Sequence, residues 1–297
     1  MPIYEAAYRR WDREGARRGL PSLAIAAAMI RRVMRIRLVR LLVLTLPALA
    51  CFFSFIVFYA AYDRMLGMMM RQSEEGGINL LHLINQQFLL SAIWFAALIA
   101  ALSGAPLIAE DRKARALPLY FSKPITHFDY IAGKVLTVAT FLSLLLLLPP
   151  FCMYLVEVLL STQDDVASAQ FPSLLRSFVP GACCILLFSA LSLAVSSVSK
   201  RAAYAALAFL GLIVLSSAIS HVLVRGMRDP AWFAVSPTAC VFRISLEVLP
   251  GAGTGRGVFG RHIPHLDAGL AWTGLGVWTT LSLAVLAIRI RRVEVVS

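Results

Sequence analysis

The sequence predicts an all-α integral membrane protein: six transmembrane helices preceded by an amphipathic N-terminal interfacial helix. Composition is the first reason. Hydrophobic residues make up 59% of the 297 positions and charged residues only 15%, whereas soluble domains hold about 45–50% apolar residues. The second reason is that charge is clumped. Six windows carry none: Leu41–Tyr62, Leu83–Ala109, Val135–Val156, Ser177–Ser199, Ala202–Val224 and Ala268–Ile288. A helix needs roughly 20 residues to cross a bilayer, and each window meets that length. Backbone groups in lipid must bond within their own segment, so the windows are helices.

The third reason is where the bases lie. With the N-terminus in the cytoplasm, the inner segments hold 20 Lys/Arg and 7 Asp/Glu, and the outer segments 8 and 9, which accounts for all 28 bases and 16 acids. This follows the positive-inside rule. Both termini are then cytoplasmic, in a multi-pass protein of a bacterial-type inner (plasma) membrane. The net charge of +12 belongs to one membrane face, which points to lipid and not to nucleic acid. The outer segment Arg225–Asp267 carries five arginines, but long loops weigh little in that rule.

Residues 1–21 form a basic, aromatic cytoplasmic tail. Arg9-Arg10 before "LPSLAIAAAMI" faintly resembles a twin-arginine signal, but the apolar run ends in Arg31, Arg32, Arg35 and Arg37, the wrong pattern for a cleaved signal. Residues 22–37 read as the amphipathic helix, with Ser22 as its cap. At about 100° per residue, Arg31, Arg32 and Arg35 share one face and Leu23, Ile30, Val33 and Met34 the other. Such a helix lies in the interface with its arginines toward phosphates.

Residues 38–297 form the six-span domain. Span one ends in the aromatic "YAAY". Met65, Met68, Met69 and Met70 follow. Thioethers suit Cu(I), but an interfacial turn explains them as well. Glu74-Glu75 resembles the paired glutamates of intramembrane CAAX-type proteases, yet the expected arginine and His motif are missing. Pro149-Pro150 should kink span three. Ser189, Ser192 and Ser196, then Ser216, Ser217 and Ser220, sit at helical spacing as a packing seam or a polar strip. The outer loop 225–267 contains "GAGTGRGVFG", which is no phosphate loop, and His262 and His265 with Asp267, weak evidence for a metal. Cys51, Cys152, Cys183, Cys184 and Cys240 show no ligand spacing or disulfide framework. No nucleotide-binding motif or catalytic set is present.

The most informative stretch is "APLIAEDRKARALPLYFSKPITHFDYIAGK", Ala105–Lys134, with five bases, three acids and three prolines. Asp111 and Arg115 stand i,i+4, acid first, and extend the helix beyond span two. Pro118 stops it. "LYFSKP" is extended, because residues before proline avoid the helical region. Thr126 and Asp129 form a capping box, with Ile125 and Tyr130 as a staple, so span three starts near His127. The cytoplasmic loop 110–130 is therefore a compact protrusion offering Tyr120, Phe121 and Phe128 for contact. Lys200-Arg201 shows how short a plain connector can be.

Acid-Asp-Arg after span two, "LPLYFSKPI", and "YIAGK" opening span three resemble the membrane subunit of ABC type-2 transporters. The likeness covers the whole chain, from the N-terminal helix through six spans to the long outer segment between spans five and six; the tail Tyr8-Arg9-Arg10-Trp11 resembles one branch of the family. The resemblance implies a permease, an exporter by expectation, working with a second copy or a paralogue as a dimer. A separate ABC ATPase subunit would dock on the loop between spans two and three. Carried over by position, Glu110, Asp111, Arg112, Tyr120, Ser122, Pro124 and Lys134 form or support that coupling surface, and Arg31, Arg32 and Arg35 mark the interfacial helix. No cofactor is expected in this chain, ATP and magnesium belonging to the partner ATPase, and no enzymatic activity is expected of the chain itself. The alternatives are a non-transporting scaffold or anchor of an assembly or maturation complex, and an ion-driven secondary transporter. The latter calls for inverted repeats and intramembrane acids, which the six windows lack. Their lack of charge favours a hydrophobic or amphipathic cargo.

Overall fold

The computed structural model describes residues 21–35, 37, 39–45, 47–49, 52, 80–114, 126–160, 166–249 and 266–294. All regular structure among them is helical. The elements are α1 (Pro21–Met34), α2 (Leu80–Lys113), α3 (His127–Leu146), α4 (Leu148–Leu160), α5 (Val166–Val198), α6 (Ala202–Met227), a 3₁₀ turn (Pro230–Val235), α7 (Pro237–Val248) and α8 (Ala268–Glu294).

Five segments are long and apolar enough to cross a membrane: Phe88–Lys113, His127–Leu159, Gln170–Val198, Ala202–Met227 and Ala268–Ile290. The first of the six expected spans, Leu41–Tyr62, lies largely outside the described residues. Its start is a shorter apolar helix, Val39–Leu49.

The helices outrun the uncharged windows. The 34 residues of α2 reach about 51 Å at about 1.5 Å per residue, well beyond a hydrocarbon core of about 30 Å. Helix α5 starts at Val166, eleven residues before the expected Ser177, and passes through Arg176, Pro172 and Pro180. A single charge ends an uncharged window without ending a helix. The expected kink in span three is a break: α3 ends at Leu146, the capping N–H of Leu147 reaches Ser143 O at 2.9 Å, and α4 begins one residue before Pro149-Pro150. Two successive prolines withhold two backbone donors, so the ladder fails there.

Packing is uneven. Helix α2 sits between α3, α5 and α6; α5 also meets α8 and α7; α1 lies along α3. Phe188 and Phe209 meet edge to face at 5.9 Å in the α5–α6 contact. In their most apolar windows α2 and α5 are each 61% buried, against 22% for α6 and 28% for α8. The last two therefore present most of their apolar surface, including Leu207, Leu215, Val222, Val277 and Leu281, outward.

The segment 225–267, expected as an outer loop, holds more structure than that. Arg228 closes α6 in the left-handed region, φ 54°. Asp229 caps the 3₁₀ turn, and Ser236 caps α7 by accepting from the N–H of Ala239. Cys240, Val241 and Ile244 of α7 are fully buried. A Cβ at Gly274 of α8 would stand 2.8 Å from Cys240 Sγ, so the glycine is what lets the two helices meet. Burial pushes the Cys240 thiol up to about 11, leaving it an inert packing group at neutral pH. Residues 250–265, with the glycine run, His262 and His265, lie outside the described residues, as do Cys51, Met65–Met70 and Glu74-Glu75. The described residues contain no group of His, Cys, Asp and Glu able to hold a metal ion.

Candidate functional site

The site forms where α2 ends, α3 begins and α1 crosses both. Helix α2 continues past the apolar window as expected and carries Glu110, Asp111 and Arg112 in its last turn. Helix α3 opens on the expected capping box. Thr126 Oγ1 accepts from the Asp129 N–H at 3.1 Å, and the Asp129 carboxylate accepts from the Thr126 N–H at 3.2 Å. That cap fixes the first turn of α3 and so the direction in which Tyr130 and Lys134 project. Tyr130, the expected staple residue, is fully buried and its hydroxyl reaches α2; its expected partner Ile125 lies outside the described residues.

Asp111 is 2% exposed and Lys134 is 0% exposed, a burial that charged residues reach almost only when paired. Lys134 Nζ donates to Asp111 Oδ2 at 2.7 Å, to the Leu107 carbonyl at 2.8 Å and to Met29 Sδ of α1 at 3.5 Å. It also stands 5.2 Å from the centre of the Tyr130 ring. The Tyr130 hydroxyl donates to the same Asp111 oxygen at 2.9 Å. Taking either charge out of water alone would cost several kcal/mol, and removing one partner leaves the other stranded. The network therefore locks three elements together: α2 through Asp111 and Leu107, α3 through Tyr130 and Lys134, and α1 through Met29.

A more open pair flanks this lock. Arg32 of α1 contacts Glu110 at 2.7 Å and Asp111 Oδ1 at 3.9 Å, with side-chain exposures of 56% for Arg32 and 41% for Glu110. Arg112 donates to the Ser197 carbonyl at the end of α5, where the helix dipole favours a cation. Helix α1 approaches closely because α3 carries Gly133: a Cβ there would lie 2.9 Å from Ile25 Cβ and from the Ser22 carbonyl.

The bounds of α1 differ from the expected ones. The helix runs from Pro21 to Met34, shorter than Ser22–Arg37, with Ser22 inside it. Its buried face is Ile25, Ala26, Met29 and Val33, whereas Leu23 is half exposed. The docking face is set by the approach to Gly133, not by the longest side chains. Arg31 and Arg35 are exposed as expected; Arg32 turns instead to Glu110.

A family model for the ABC-2 family transporter protein matches residues 23–237, a stretch that includes all but the first two residues of α1, the lock and α2 to α6. The chain belongs to the ABC-2 transporter family. It is a multi-pass membrane protein of that family, and no curated protein matches it.

In this ABC-2 protein the structure gathers four of the seven residues named for the coupling surface: Glu110, Asp111, Arg112 and Lys134. Asp111 and Lys134 are internal struts, not surface contacts. Tyr120, Ser122 and Pro124 lie outside the described residues. Phe128, expected to be available for contact, is 78% exposed on the first turn of α3. Residues to which the sequence reading gave another role, or none, also belong here. Met29 and Gly133 join α1 to α3, and Tyr130 joins α3 to α2. Ser196 of α5 contacts the α2 backbone three times. "YIAGK" held a partial signal for the first group: a glycine followed by a lysine at the head of an apolar helix.

Glu157 lies just beyond the third window, yet inside the segment long enough to span. Its Oε2 is buried with no hydrogen-bond partner among the described residues. The uncharged windows thus understated the charge carried by the helices, which include Asp111, Lys134, Glu157 and Arg176.

Proposed function

We propose that this chain is the permease subunit of an ATP-binding cassette exporter, driven by a separate ATPase that docks on the loop between spans two and three. The observation that carries the proposal is the buried Asp111–Lys134 lock. It welds the end of α2, the start of α3 and α1 into one body, and the loop 115–125 is strung between two of its members. A force applied to that loop is then delivered to two spans and the N-terminal helix together. The family match supports a membrane subunit of this kind, and the chain carries no phosphate-binding loop of its own.

The remaining parts follow from charge and exposure. Residues 110–130 and both termini face the cytoplasm, because the bases concentrate on that side. Arg31 and Arg35 meet anionic lipid at about 1 kcal/mol each, holding α1 in the interface while Arg32 ties it to α2. The apolar outer faces of α6 and α8 meet lipid and a second permease copy or paralogue. ATP and magnesium are bound and used in the partner ATPase. The cargo is hydrophobic or amphipathic.

The test is reconstitution in lipid nanodiscs with a co-expressed ATP-binding cassette subunit from the same genome. The reading predicts co-purification and ATP hydrolysis faster than that of the cassette alone, both abolished by Tyr120→Asp. A permease that retains the cassette without stimulating it would act as an anchor, and one that ignores the cassette would refute the proposal.

A further inference from the structure

Helix α2 contains a break in chemistry that the lock does not need. Pro106 lies inside it and offers no N–H to the ladder. Immediately beyond, the N–H groups of Ile108 and Ala109 donate to Ser196 Oγ of α5 at 3.2 and 3.1 Å. The same hydroxyl donates back to the Ala105 carbonyl at 2.6 Å. One side chain thus satisfies backbone groups on both sides of the proline. Inserting a side chain into a helical ladder is a recognised cause of a bend. The neighbouring contact is tight: a Cβ at Gly104 would stand 2.9 Å from Ser192 Cβ and overlap its hydroxyl. Ser192 and Ser196 are both buried, at 1% and 0% exposure. Arg112 grips the Ser197 carbonyl one turn and a half farther along α2.

We infer that Ser196 is a positioning residue: its hydroxyl forms a joint with α2 at Pro106 and sets the angle at which Leu107–Lys113, carrying Glu110, Asp111 and Arg112, leaves the span. The inference rests on the proposed docking of an ATPase on the adjoining loop. Above the joint α2 is packed against α5 and α6; below it the segment belongs to the lock with α1 and α3. The only covalent link between the two parts within α2 passes through the proline, so the Ser196 hydroxyl governs how motion of the lower part reaches the upper.

The experiment uses the full chain in nanodiscs, with its five cysteines replaced by alanine and spin labels at Lys113→Cys and Lys200→Cys, both exposed positions. Pulsed electron resonance reads their separation in the permease alone. Ser196→Ala is expected to shift or broaden the distribution by several ångströms. In the unlabelled permease it is expected to lower stimulated ATP hydrolysis at least five-fold while the co-expressed cassette still co-purifies. Pro106→Ala together with Ser196→Ala restores a self-satisfied ladder. A merely structural serine predicts full rescue by that second change; a positioning serine predicts a stable protein with an altered distance and uncoupled hydrolysis. Should Ser196→Ala fail to insert, the double variant is read in its place. A changed distance with normal stimulated hydrolysis overturns the coupling role of the joint, whereas failure of the wild-type permease to retain the cassette refutes the docking reading. A wild-type distance in both variants overturns the joint, whatever hydrolysis does.

Discussion

Two basic connections join spans in this protein, and the helix ends that flank them are built differently. Between α2 and α3 the flanking charges turn inward: Asp111 and Lys134 are buried against each other, Arg32 reaches in from α1, and Arg112 binds the end of α5. Between α5 and α6 the turn is Lys200-Arg201, and both residues are exposed. There Arg201 stays with its near neighbour, 5.6 Å from the Tyr204 ring and donating to the Tyr204 hydroxyl at 3.5 Å, and its side chain does not cap the α6 backbone. Both connections are basic, as the proposed cytoplasmic position would require. Only the first invests its charges in holding helices to one another. Positive charge at a membrane face sets orientation at either turn; charge buried between helices creates a body that can be pushed.

The largest effect that would break this contrast is expected at Lys134. Lys134→Met strands a buried carboxylate and should cost about 3–5 kcal/mol, seen as a marked fall in the temperature at which the detergent-solubilised protein leaves its monodisperse chromatographic peak. Adding Asp111→Leu removes the stranded charge and should recover most of the loss, because an apolar replacement of a buried pair is often neutral. A double variant as unstable as the single one would show that packing, not charge, is the binding principle.

Gly133→Leu should come next. A side chain there meets Ile25 and the Ser22 carbonyl, so α1 must lift from α3. Trypsin should then cleave within α1 many times faster than in the wild type while the remaining spans stay protected. Unchanged cleavage would mean that α1 is held elsewhere.

Glu110→Lys should be smaller in stability, since an exposed pair contributes only about 0.2–1 kcal/mol. Its expected consequence is weaker retention of the ATPase in a folded protein. Arg201→Ala should be the smallest of all, with melting and cassette retention unchanged within error.

The sequence made the local features legible and left the tertiary ones hidden. The capping box of Thr126 and Asp129 spans four residues and could be read directly. The continuation of α2 through Glu110–Arg112 followed from the i,i+4 acid–base spacing. Lys134 and Asp111 stand 23 residues apart, and nothing local says that they meet or that both are buried. The part of the α1 face that docks on α3 was not legible, because it is chosen by the gap at Gly133 on another helix. Helix α7 carried a readable start in Ser236-Pro237, a cap followed by proline at the first helical position. The surrounding arginines and glycines obscured it. Ser196 was visible only as one of a row of serines; its role depends on Pro106, 90 positions earlier.

The central claim is that the turn between α2 and α3 is the one through which an ATPase drives the spans. It is tested most directly by comparing the two turns in one assay, permease-stimulated ATP hydrolysis in nanodiscs. Tyr120→Asp alters the first turn, and Lys200→Glu alters the second by charge reversal. The account predicts that Tyr120→Asp reduces hydrolysis to the level of the cassette alone, while Lys200→Glu leaves it at the wild-type rate. Equal loss from both turns, or stimulation that survives Tyr120→Asp, would contradict it.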